Sequence, residues 1–419
     1  MPSRVADLQA LMDNNDIMNL NAPMLGQVGT DEYYLPETVW LNLNTRSRNA
    51  YVWEKKIYDN IYPNDWGYAF RPVYFANIVL ENINNIERTG QNSSAWDNTK
   101  GTALFFRARF FLAAAFIWAK AYDENTAKSD LGIPLRLKSD FNDVSKRSSV
   151  EETYSKIISD LHDASRLLPL RAQHVMRPSR LAAWGLLART YLSMRKYDSC
   201  FKYADLVLKE YPDLLDYNTV SATPAYPFAR FNSEVLFHSR NFNSYSPPLY
   251  VYARIDSSLY SAYSNNDLRK TLYFRANPDG THYFRGSYDN AYYFFNGLTS
   301  SEVYLMRAEC LARLGNGAAA IGDLNNLLEK RWKAGTFTPL TASSNDDALG
   351  KILNERKKEL VFRDLRWMDI KRLNKEGRNI RLLRLLNNKI EELKPNDNKY
   401  AWPIPEEIIN ISGMQQNPR

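Results

Sequence analysis

Two stretches of this sequence repeat one pattern of small, aromatic and apolar residues, and this repeat constrains the fold more than any other feature. They span residues 178–212 and 301–332, and Ala188 of the first aligns with Ala308 of the second. In each stretch apolar residues recur at spacings of three and four, which places them on one face of a helix, and a second such run follows a short turn. Each stretch is therefore predicted to form a helical hairpin.

These hairpins have the composition of a repeat that stacks. Small residues such as Ala188 and Ala204 allow two helices to approach closely, Pro212 ends the second helix, and Asn316-Gly317 supplies the turn in the second copy. The spacing resembles the tetratricopeptide pattern of about 34 residues. A single hairpin cannot bury its outer face, so further copies are expected.

A third copy is split by an insertion. Residues 103–122 have the pattern of the first helix and residues 150–169 that of the second, with the loop 123–149 between them. A fourth pair is predicted, formed by a helix over residues 68–86 and a helix from the N-terminal region.

The helical period disappears between the two intact hairpins. Residues 213–299 are rich in Tyr and Phe and contain no Trp, and short alternating runs separated by Pro, Asn and Gly predict strands and turns. Stacking does not need an insertion of this length, whereas long loops on a rigid scaffold are where binding residues concentrate. We therefore expect this insertion to bind the ligand.

The predicted fold class is mainly α: a tetratricopeptide-like helical-hairpin scaffold, or α-α superhelix, with a long irregular, loop-rich ligand-binding region that contains short strands. One domain is expected over residues 1–419. Residues 349–374 are predicted to form one long amphipathic helix within it, and the end of the chain is predicted to be extended because of its prolines. The predicted parts are the scaffold over 68–212 and 300–374, the insertion 213–299 and the tail 395–419.

The net charge of +7 does not indicate a nucleic-acid partner. Between Lys351 and Lys394 there are 14 Lys or Arg residues and 7 Asp or Glu residues, so this segment carries the whole excess. Its charges alternate in sign at helical spacing, which favours an exposed face of ion pairs over a polyanion site. No nucleic-acid binding is expected.

The sequence offers no catalytic, cofactor or metal motif. The four histidines lack ligand spacing, and there is no G-x-S-x-G, P-loop or G-x-G-x-x-G pattern. Asp31 and Glu32 are adjacent carboxylates, but neighbours in sequence do not make the facing pair that glycoside hydrolysis needs. Cys200 and Cys310 occupy small-residue positions of the repeats, where packing is expected. No cofactor and no metal are predicted.

Four ordered motifs resemble those of the SusD/RagB family, the nutrient-binding lipoproteins of Bacteroidetes outer membranes. Residues 131–169 are similar to its GIP stretch followed by R-x-S-V and Y-x-x-I. SSEVYLMRAECLARLG resembles its E-V-x-L-x-x-A-E helix, and ERKKELVFRDLRWMDIKRL its E-R-x-x-E-L-x-x-E-G-x-R-W-x-D-L-x-R signature. YAWPIPEEIINISGMQQNPR resembles its closing motif. Arg363-Asp364 departs from the family's Glu-Gly, and the sequence predicts that both residues lie within a helix.

The resemblance implies a non-catalytic binding protein at the cell surface. Its partners would be a glycan or peptide ligand and a TonB-dependent, SusC-like transporter on which it acts as a lid. It would be held at the outer membrane by a lipid anchor, and neither a signal peptide nor a lipidated cysteine occurs at the start of this sequence. The expectation is that the numbering starts on a truncated or processed chain.

In members of the family that bind glycans, an arc of aromatic side chains holds the sugar, since pyranose rings stack their C–H faces on aromatic rings. Two groups of residues are candidates for such an arc. The N-terminal candidates are Asp31, Glu32, Tyr33, Tyr34, Trp40, Arg46, Trp66 and Trp96. The candidates in the insertion are Tyr283, Arg285, Tyr288, Asp289, Asn290, Tyr292 and Tyr293. For any single aromatic residue, packing in the core is the commoner role.

Two other functions fit parts of the sequence. An intracellular tetratricopeptide-type scaffold that grips a peptide in a concave groove would need only the repeats. An α-helical glycosidase would also bind sugars. Within the family itself, an oligopeptide-binding, RagB-like role remains open.

Overall fold

The structure is a computed structural model that describes residues 4–59 and 62–419. Helices dominate these ranges, which confirms the prediction of a mainly α scaffold. The helices up to the end of the first intact hairpin are α1 (Val5–Met12), α2 (Asn15–Met18), α3 (Leu25–Val28), α4 (Glu37–Leu41), α5 (Thr45–Tyr51), α6 (Asp65–Ile83), α7 (Ser93–Trp118), α8 (Val150–Leu167), α9 (Arg180–Ser193) and α10 (Tyr197–Glu210). Those that follow are α11 (Ser257–Ser261), α12 (Arg269–Tyr273), α13 (Ser300–Arg313), α14 (Gly317–Glu329), α15 (Asn345–Glu359), α16 (Arg366–Asn374) and α17 (Glu406–Ser412).

Short strands lie between these helices. They are β1 (Tyr33–Tyr34), β2 (Leu131–Pro134), β3 (Arg147–Ser149), β4 (Val235–Phe237), β5 (Arg254–Ile255), β6 (Phe274–Ala276), β7 (His282–Phe284), β8 (Leu298–Thr299), β9 (Leu382–Leu386) and β10 (Lys389–Leu393). They form two-stranded antiparallel sheets, which pair β1 with β5, β2 with β3, β4 with β8, β6 with β7 and β9 with β10. As expected, the strands of the insertion are short, and the short helices α11 and α12 lie among them.

The two intact hairpins lie close to their predicted bounds, whereas α7 of the split one begins at Ser93, before the predicted start at residue 103. Helices α9 and α10 form the first intact hairpin, α13 and α14 form the second, and α7 and α8 form the split one. Each helix also packs on its neighbours, with α6 on α7, α8 on α9 and α10 on α13. Because α10 packs directly on α13, the insertion leaves the stack without interrupting it.

Local sequence explains where these helices begin. Ser149, Ser179 and Asn316 each accept a hydrogen bond from a backbone N–H in the first turn of α8, α9 and α14, respectively. At Gly185 of α9, an added Cβ would lie 2.2 Å from the side chain of Leu298, so glycine leaves the space that this side chain of the insertion occupies against the helix. Cys200 and Cys310 are buried and free where α10 meets α13, as expected for packing residues.

The structure corrects the expectation of one helix over residues 349–374. Helix α15 ends at Glu359 and α16 begins at Arg366, because Phe362 and Asp364 adopt left-handed backbone conformations with φ of 55° and 61°. Arg363-Asp364 therefore lies in a helix break rather than inside a helix. The left-handed conformation at Asp364 gives a physical reason for the family's glycine there.

The prediction of an extended tail over residues 395–419 is also wrong in part. Helix α17 forms after Pro405 and ends at Gly413, whose φ is 68°. Pro405 precedes the first helical residue, where a missing N–H costs nothing.

Helix α7 has the length and hydropathy of a membrane span, and among the described helices it alone does. Most of that stretch is buried inside the structure, between α6 and α8. Its Arg107 forms a buried ion pair with Asp160 of α8 at 2.8 Å. These contacts are those of a core helix.

The basic segment near the C-terminus is paired, as predicted, but many of its pairs are buried rather than exposed. Arg356 contacts Asp369 at 2.9 Å, and Arg372 contacts Glu309 of α13 at 2.6 Å, with all four side chains buried. Helical periodicity alone could not distinguish this arrangement from a solvated face.

One buried cluster of charges joins the scaffold to the insertion. Arg331, just after α14, contacts Glu359 of α15 at 2.8 Å and Glu234 of the insertion at 2.6 Å. Arg269 at the start of α12 contacts Glu359 from the other side at 3.1 Å and Asp267 at 2.7 Å. Arg331, Glu359, Glu234 and Arg269 come from four different parts of the chain, whereas Asp267 is a near neighbour of Arg269 in sequence. All five side chains are fully buried. We call these five residues the buried ion cluster.

We expect Glu359→Gln to lower the free energy of unfolding by about 3–5 kcal/mol, because it removes the carboxylate that Arg269 and Arg331 share and leaves buried charge uncompensated. Urea denaturation followed by circular dichroism measures this change. The control is Glu329→Gln on the exposed side of α14, which should leave stability unchanged. A loss below about 1 kcal/mol for Glu359→Gln would contradict the cluster's structural role.

Three buried carboxyl groups near the helix break hold their protons unusually strongly. Burial raises the pKa of Asp364 to about 7, and the nearby charges of Asp65 and Glu32 add to this effect, while Asn241 and Arg109 oppose it. Burial likewise raises the pKa of Glu32 to about 7 and that of Asp65 to about 6. The folded chain therefore retains protons at pH values where the unfolded chain has released them.

We expect Asp364→Asn to stabilise the protein increasingly as pH rises from 4 to 7. Over this interval the unfolded chain loses the Asp364 proton and the folded chain keeps it, so wild-type stability falls with rising pH, and above pH 7 a buried charge remains. Asparagine tolerates the left-handed backbone and can accept the hydrogen bond from Asn241 without ionising. Unfolding free energies of both proteins across this range test the expectation. A difference that does not change with pH would contradict it.

Candidate functional site

Much of the insertion folds inward and joins the hydrophobic core of the scaffold. The hydroxyl of Tyr217 lies 2.8 Å from that of Tyr273 and 2.7 Å from that of Tyr288, and Tyr288 donates to Glu234 of the buried ion cluster at 3.0 Å. Tyr288 is fully buried. The structure thus corrects its assignment as a ligand-contacting residue, because its ring faces the interior.

Other tyrosines of the insertion form an open surface, which we call the tyrosine ledge: Tyr226, Tyr250, Tyr283, Tyr292 and Tyr293. The rings of Tyr292 and Tyr293 stack with centroids 4.3 Å apart, and Tyr250 lies 5.8 Å from Tyr283 and 6.3 Å from Tyr292. Tyr292 is 43% and Tyr250 39% exposed. Burial, followed by the nearby hydroxyls of Tyr250 and Tyr283, raises the pKa of Tyr226. The ledge is large enough to present several ring faces at once.

Two polar residues next to the ledge hold its loops together. Asn290 has a left-handed backbone with φ of 55°, and its side-chain amide donates to the carbonyls of Tyr226 and Phe228 at 3.1 and 3.0 Å. The buried guanidinium of Arg285 donates to the carbonyls of Pro224, Ala222 and Thr271. The candidates Asn290 and Arg285 thus position the ledge, and the turn that carries Tyr292 is fixed to the loop that carries Tyr226.

A buried carboxylate orients the cation beneath the ledge. Arg240 lies 3.7 Å from the ring centroid of Tyr293 and contacts Asp289 at 2.8 Å. Asp289 also lies 3.1 Å from Arg230 and 3.2 Å from His238. Although burial alone would raise the pKa of Asp289, His238 and Arg240 lower it below its ordinary value. Asp289 is thus a buried anion that fixes Arg240, and its carboxylate oxygens face protein side chains.

The aromatic surface extends from the insertion towards the scaffold. Arg240 and Phe242 are two residues apart in an extended segment, so their side chains leave the same face. Phe242 is exposed, and its ring centroid lies 4.5 Å from that of Tyr68 on α6.

The N-terminal carboxylates that the sequence singled out have structural partners. Asp31 binds Arg366 at 2.7 Å and Lys357 at 2.9 Å, and these two cations together hold the pKa of Asp31 well below its ordinary range. Glu32 is buried and accepts from the amide of Gln27 at 2.6 Å. Both carboxylates tie the N-terminal segment to the C-terminal part of the chain, and neither belongs to the ledge.

The aromatic N-terminal candidates are not gathered into an arc. Tyr33 is buried and donates to the carbonyl of Val28, while Tyr34 is half-buried and pairs with Arg254 of the insertion through β1 and β5. Trp66 is buried against Trp118. The remaining candidates are half-buried and bonded elsewhere: Trp40 to the Arg48 carbonyl, Arg46 to Ser244 and Asp59, and Trp96 to the carbonyls of Ile83 and Ile86.

Of the candidates, the structure places Tyr283, Tyr292 and Tyr293 together on the ledge, with Arg285 and Asp289 buried behind it and Asn290 exposed beside it. Sequence reasoning missed Tyr226, Tyr250, Arg240 and Phe242. The turn prolines that precede Tyr226 and Tyr250 could have indicated exposed loops, whereas no local signal distinguishes Arg240 from the other arginines of the segment.

Two sequence models of SusD-type families match most of the chain. A family described as starch-binding and associating with the outer membrane matches residues 1–192. The SusD family matches residues 229–419. The chain belongs to the SusD/RagB family. This confirms the resemblance drawn from the four motifs, and proteins of this family bind ligands rather than catalyse reactions.

Solved structures of SusD-type proteins share the whole fold. A putative sugar binding protein from Bacteroides vulgatus aligns with a TM-score of 0.79 and 21% identity, over 100% of this chain and 99% of its own. A SusD superfamily protein from Bacteroides thetaiotaomicron aligns with a TM-score of 0.80 and 19% identity, over 99% of this chain and 100% of its own. At these identities the likeness establishes the fold alone.

One relative is closer in sequence over a short segment. SusD-like protein P2 from Formosa agariphila is 33% identical over 133 residues. That segment covers 28% of this chain and 24% of the relative, so this SusD-type chain aligns with about a quarter of the relative's length.

We expect Asn290→Ala to loosen the ledge, because alanine loses both amide hydrogen bonds and is strained at a φ of 55°. Hydrogen–deuterium exchange of residues 222–229 should become faster. Asn290→Gly relieves the backbone strain but also lacks the amide, so it should show the same direction of change. Unchanged exchange in both variants would contradict the positioning role.

Proposed function

We propose that this SusD/RagB-family protein binds oligosaccharides of a nutrient polysaccharide on the tyrosine ledge, at the cell surface, and passes them unaltered to a SusC-like TonB-dependent transporter. The observation that carries the proposal is the ledge itself. Its rings lie on loops that are fixed from behind, and two of them are about two-fifths exposed. Preformed aromatic faces suit pyranose rings, whose C–H faces stack on them without an ordering cost on the protein side.

The relatives add support from their descriptions. One matching family is described as starch-binding and associating with the outer membrane, and the B. vulgatus relative is named a putative sugar binding protein. A further B. vulgatus structure of the same fold, at 20% identity and a TM-score of 0.72, is described as a SusD-like carbohydrate binding protein. These descriptions favour a glycan over a peptide as the ligand.

Affinity electrophoresis against a panel of polysaccharides, followed by titration calorimetry with oligomers of any polysaccharide bound, tests ligand class. A tryptic protein digest belongs in the same panel, because peptide binding without glycan binding would overturn the carbohydrate proposal in favour of a RagB-like role. Incubation with a bound polysaccharide should release no new reducing ends.

We expect Tyr250→Ala and Tyr292→Ala each to weaken glycan binding about 5–30-fold, the factor that corresponds to one or two kcal/mol of lost stacking. Both rings are exposed, so neither change should affect folding. Phe141→Ala is the matched control, because Phe141 is 80% exposed and lies in the loop after β2, outside the ledge. Full affinity in the double variant Tyr250→Ala/Tyr292→Ala would exclude the ledge as the binding site.

Delivery and anchoring have separate tests. Co-purification of a TonB-dependent transporter with the native protein from outer membranes would support the lid role. Incorporation of labelled palmitate into the native precursor would support the lipid anchor. Failure of both would leave ligand binding as the protein's role without a transporter partner.

A further inference from the structure

A large cleft lies on the helical scaffold, away from the ledge. A cleft of about 1080 Å³ runs between α1, the first turn of α7, the end of α8 and the segment before α9. It adjoins a second cavity of about 490 Å³, with which it shares Gln173 and Arg177 and which ends at Phe231. We call the two together the polar groove. None of the tyrosines of the ledge lines it.

Side-chain amides and hydroxyls supply much of the groove's wall. Gln9 accepts from Asn98 and Thr99 at 3.2 and 3.0 Å and donates to Asp13 at 3.0 Å, which fixes its amide in the wall, and Gln91 is exposed at the rim. Amides both donate and accept, as sugar hydroxyls do, so such a wall suits a polyhydroxylated ligand.

The groove is positively charged. Five arginines and two aspartates line it. Both aspartates are already neutralised, since Asp13 binds Arg177 at 2.6 Å and Asp97 binds Arg88 at 2.7 Å. The charge that remains therefore favours an anionic ligand.

Two of the arginines have no carboxylate partner among residues 4–59 and 62–419. Arg171 donates to the carbonyl of Glu210 at 2.6 Å and lies over the ring of Tyr211, and Arg180 donates to the carbonyl of Leu168 at 3.2 Å. The Nε–H of Arg180 is buried and has no acceptor. Arg171 is exposed and Arg180 is half-buried, so both guanidinium groups leave positive charge at the groove that an anionic ligand would offset.

The far end of the groove carries an aromatic ring. Phe231 is 44% exposed, and His174 packs edge-on against it with centroids 4.6 Å apart. The adjoining Arg230 lies 5.1 Å from the same ring and is anchored by Asp289. An exposed ring beside amides and cations provides a stacking face for a sugar at this end.

We infer that the polar groove is a second binding site, and that it takes an acidic oligosaccharide, one whose sugars carry carboxylate or sulfate groups. That the ligand is a carbohydrate rests on the proposed function, whereas its negative charge is inferred from Arg171 and Arg180. Their guanidinium groups pair with the anionic substituents, the amide wall binds hydroxyls, and Phe231 stacks on a ring.

Titration calorimetry with tetragalacturonate, a chondroitin sulfate tetrasaccharide and neutral cellotetraose tests this directly. The wild-type protein should bind one of the two acidic probes at least about tenfold more tightly than the neutral one, and added salt should weaken that binding. The double variant Arg171→Gln/Arg180→Gln should lose about tenfold or more in affinity for the acidic probe. The control Arg378→Gln removes an exposed arginine outside the groove and should change nothing.

A second variant tests the groove independently, in case the double arginine variant does not fold. Ser94→Trp starts from an exposed residue of the groove wall and fills the cleft without changing any arginine, so it should also abolish acidic binding. Tyr250→Ala/Tyr292→Ala should leave that binding intact, which separates failure of the groove from failure of the ledge. No binding of either acidic probe, equal binding of acidic and neutral probes, or full affinity in both groove variants would overturn the inference.

Discussion

The buried ion cluster is the interaction on which the binding region depends. Arg331 connects the end of the second intact hairpin to Glu359 on the scaffold and to Glu234 in the insertion. Glu234 in turn accepts from Tyr288, which immediately precedes Asp289 and Asn290, and both of these support the ledge. Ionic and polar contacts thus run from the helical stack to the turn that carries Tyr292. Burying so many charges is costly, and the cost is offset because each charge has partners on more than one segment.

This arrangement explains how a loop-rich region can present a defined surface. Loops contribute few backbone hydrogen bonds of their own, so side chains must fix them. Asn290 and Arg285 do this by donating to carbonyls of the loop that carries Tyr226. Asp289 does it electrostatically, because it orients Arg240 under Tyr293. The ledge therefore does not need to order itself when a ligand arrives, which is the condition for efficient binding by a few rings.

Much of the scaffold could be predicted from the sequence because its signals are local. The hairpins follow from periodicity, small residues and terminal prolines, and even the split third copy has the predicted parts. The helix break at Asp364 could not be predicted, since it depends on left-handed conformations that only tertiary contacts select. Burial of the basic C-terminal segment was missed for a related reason, because charge spacing carries no information about which partners other helices bring.

The binding region is harder to predict from sequence, because composition indicates how many aromatic residues a segment contains but not which way their rings point. Tyr288 and Tyr292 lie four residues apart in similar sequence, yet one is buried in the hydrophobic core and the other is exposed. The N-terminal candidates were chosen for their residue types, and the structure uses most of them to join distant segments. A crystal structure with an oligosaccharide of a bound polysaccharide is the most direct test of this account. It should show pyranose rings against Tyr250, Tyr283 or Tyr292, with the backbone around Asn290 unchanged. A sugar bound elsewhere, with these rings still facing solvent, would contradict it.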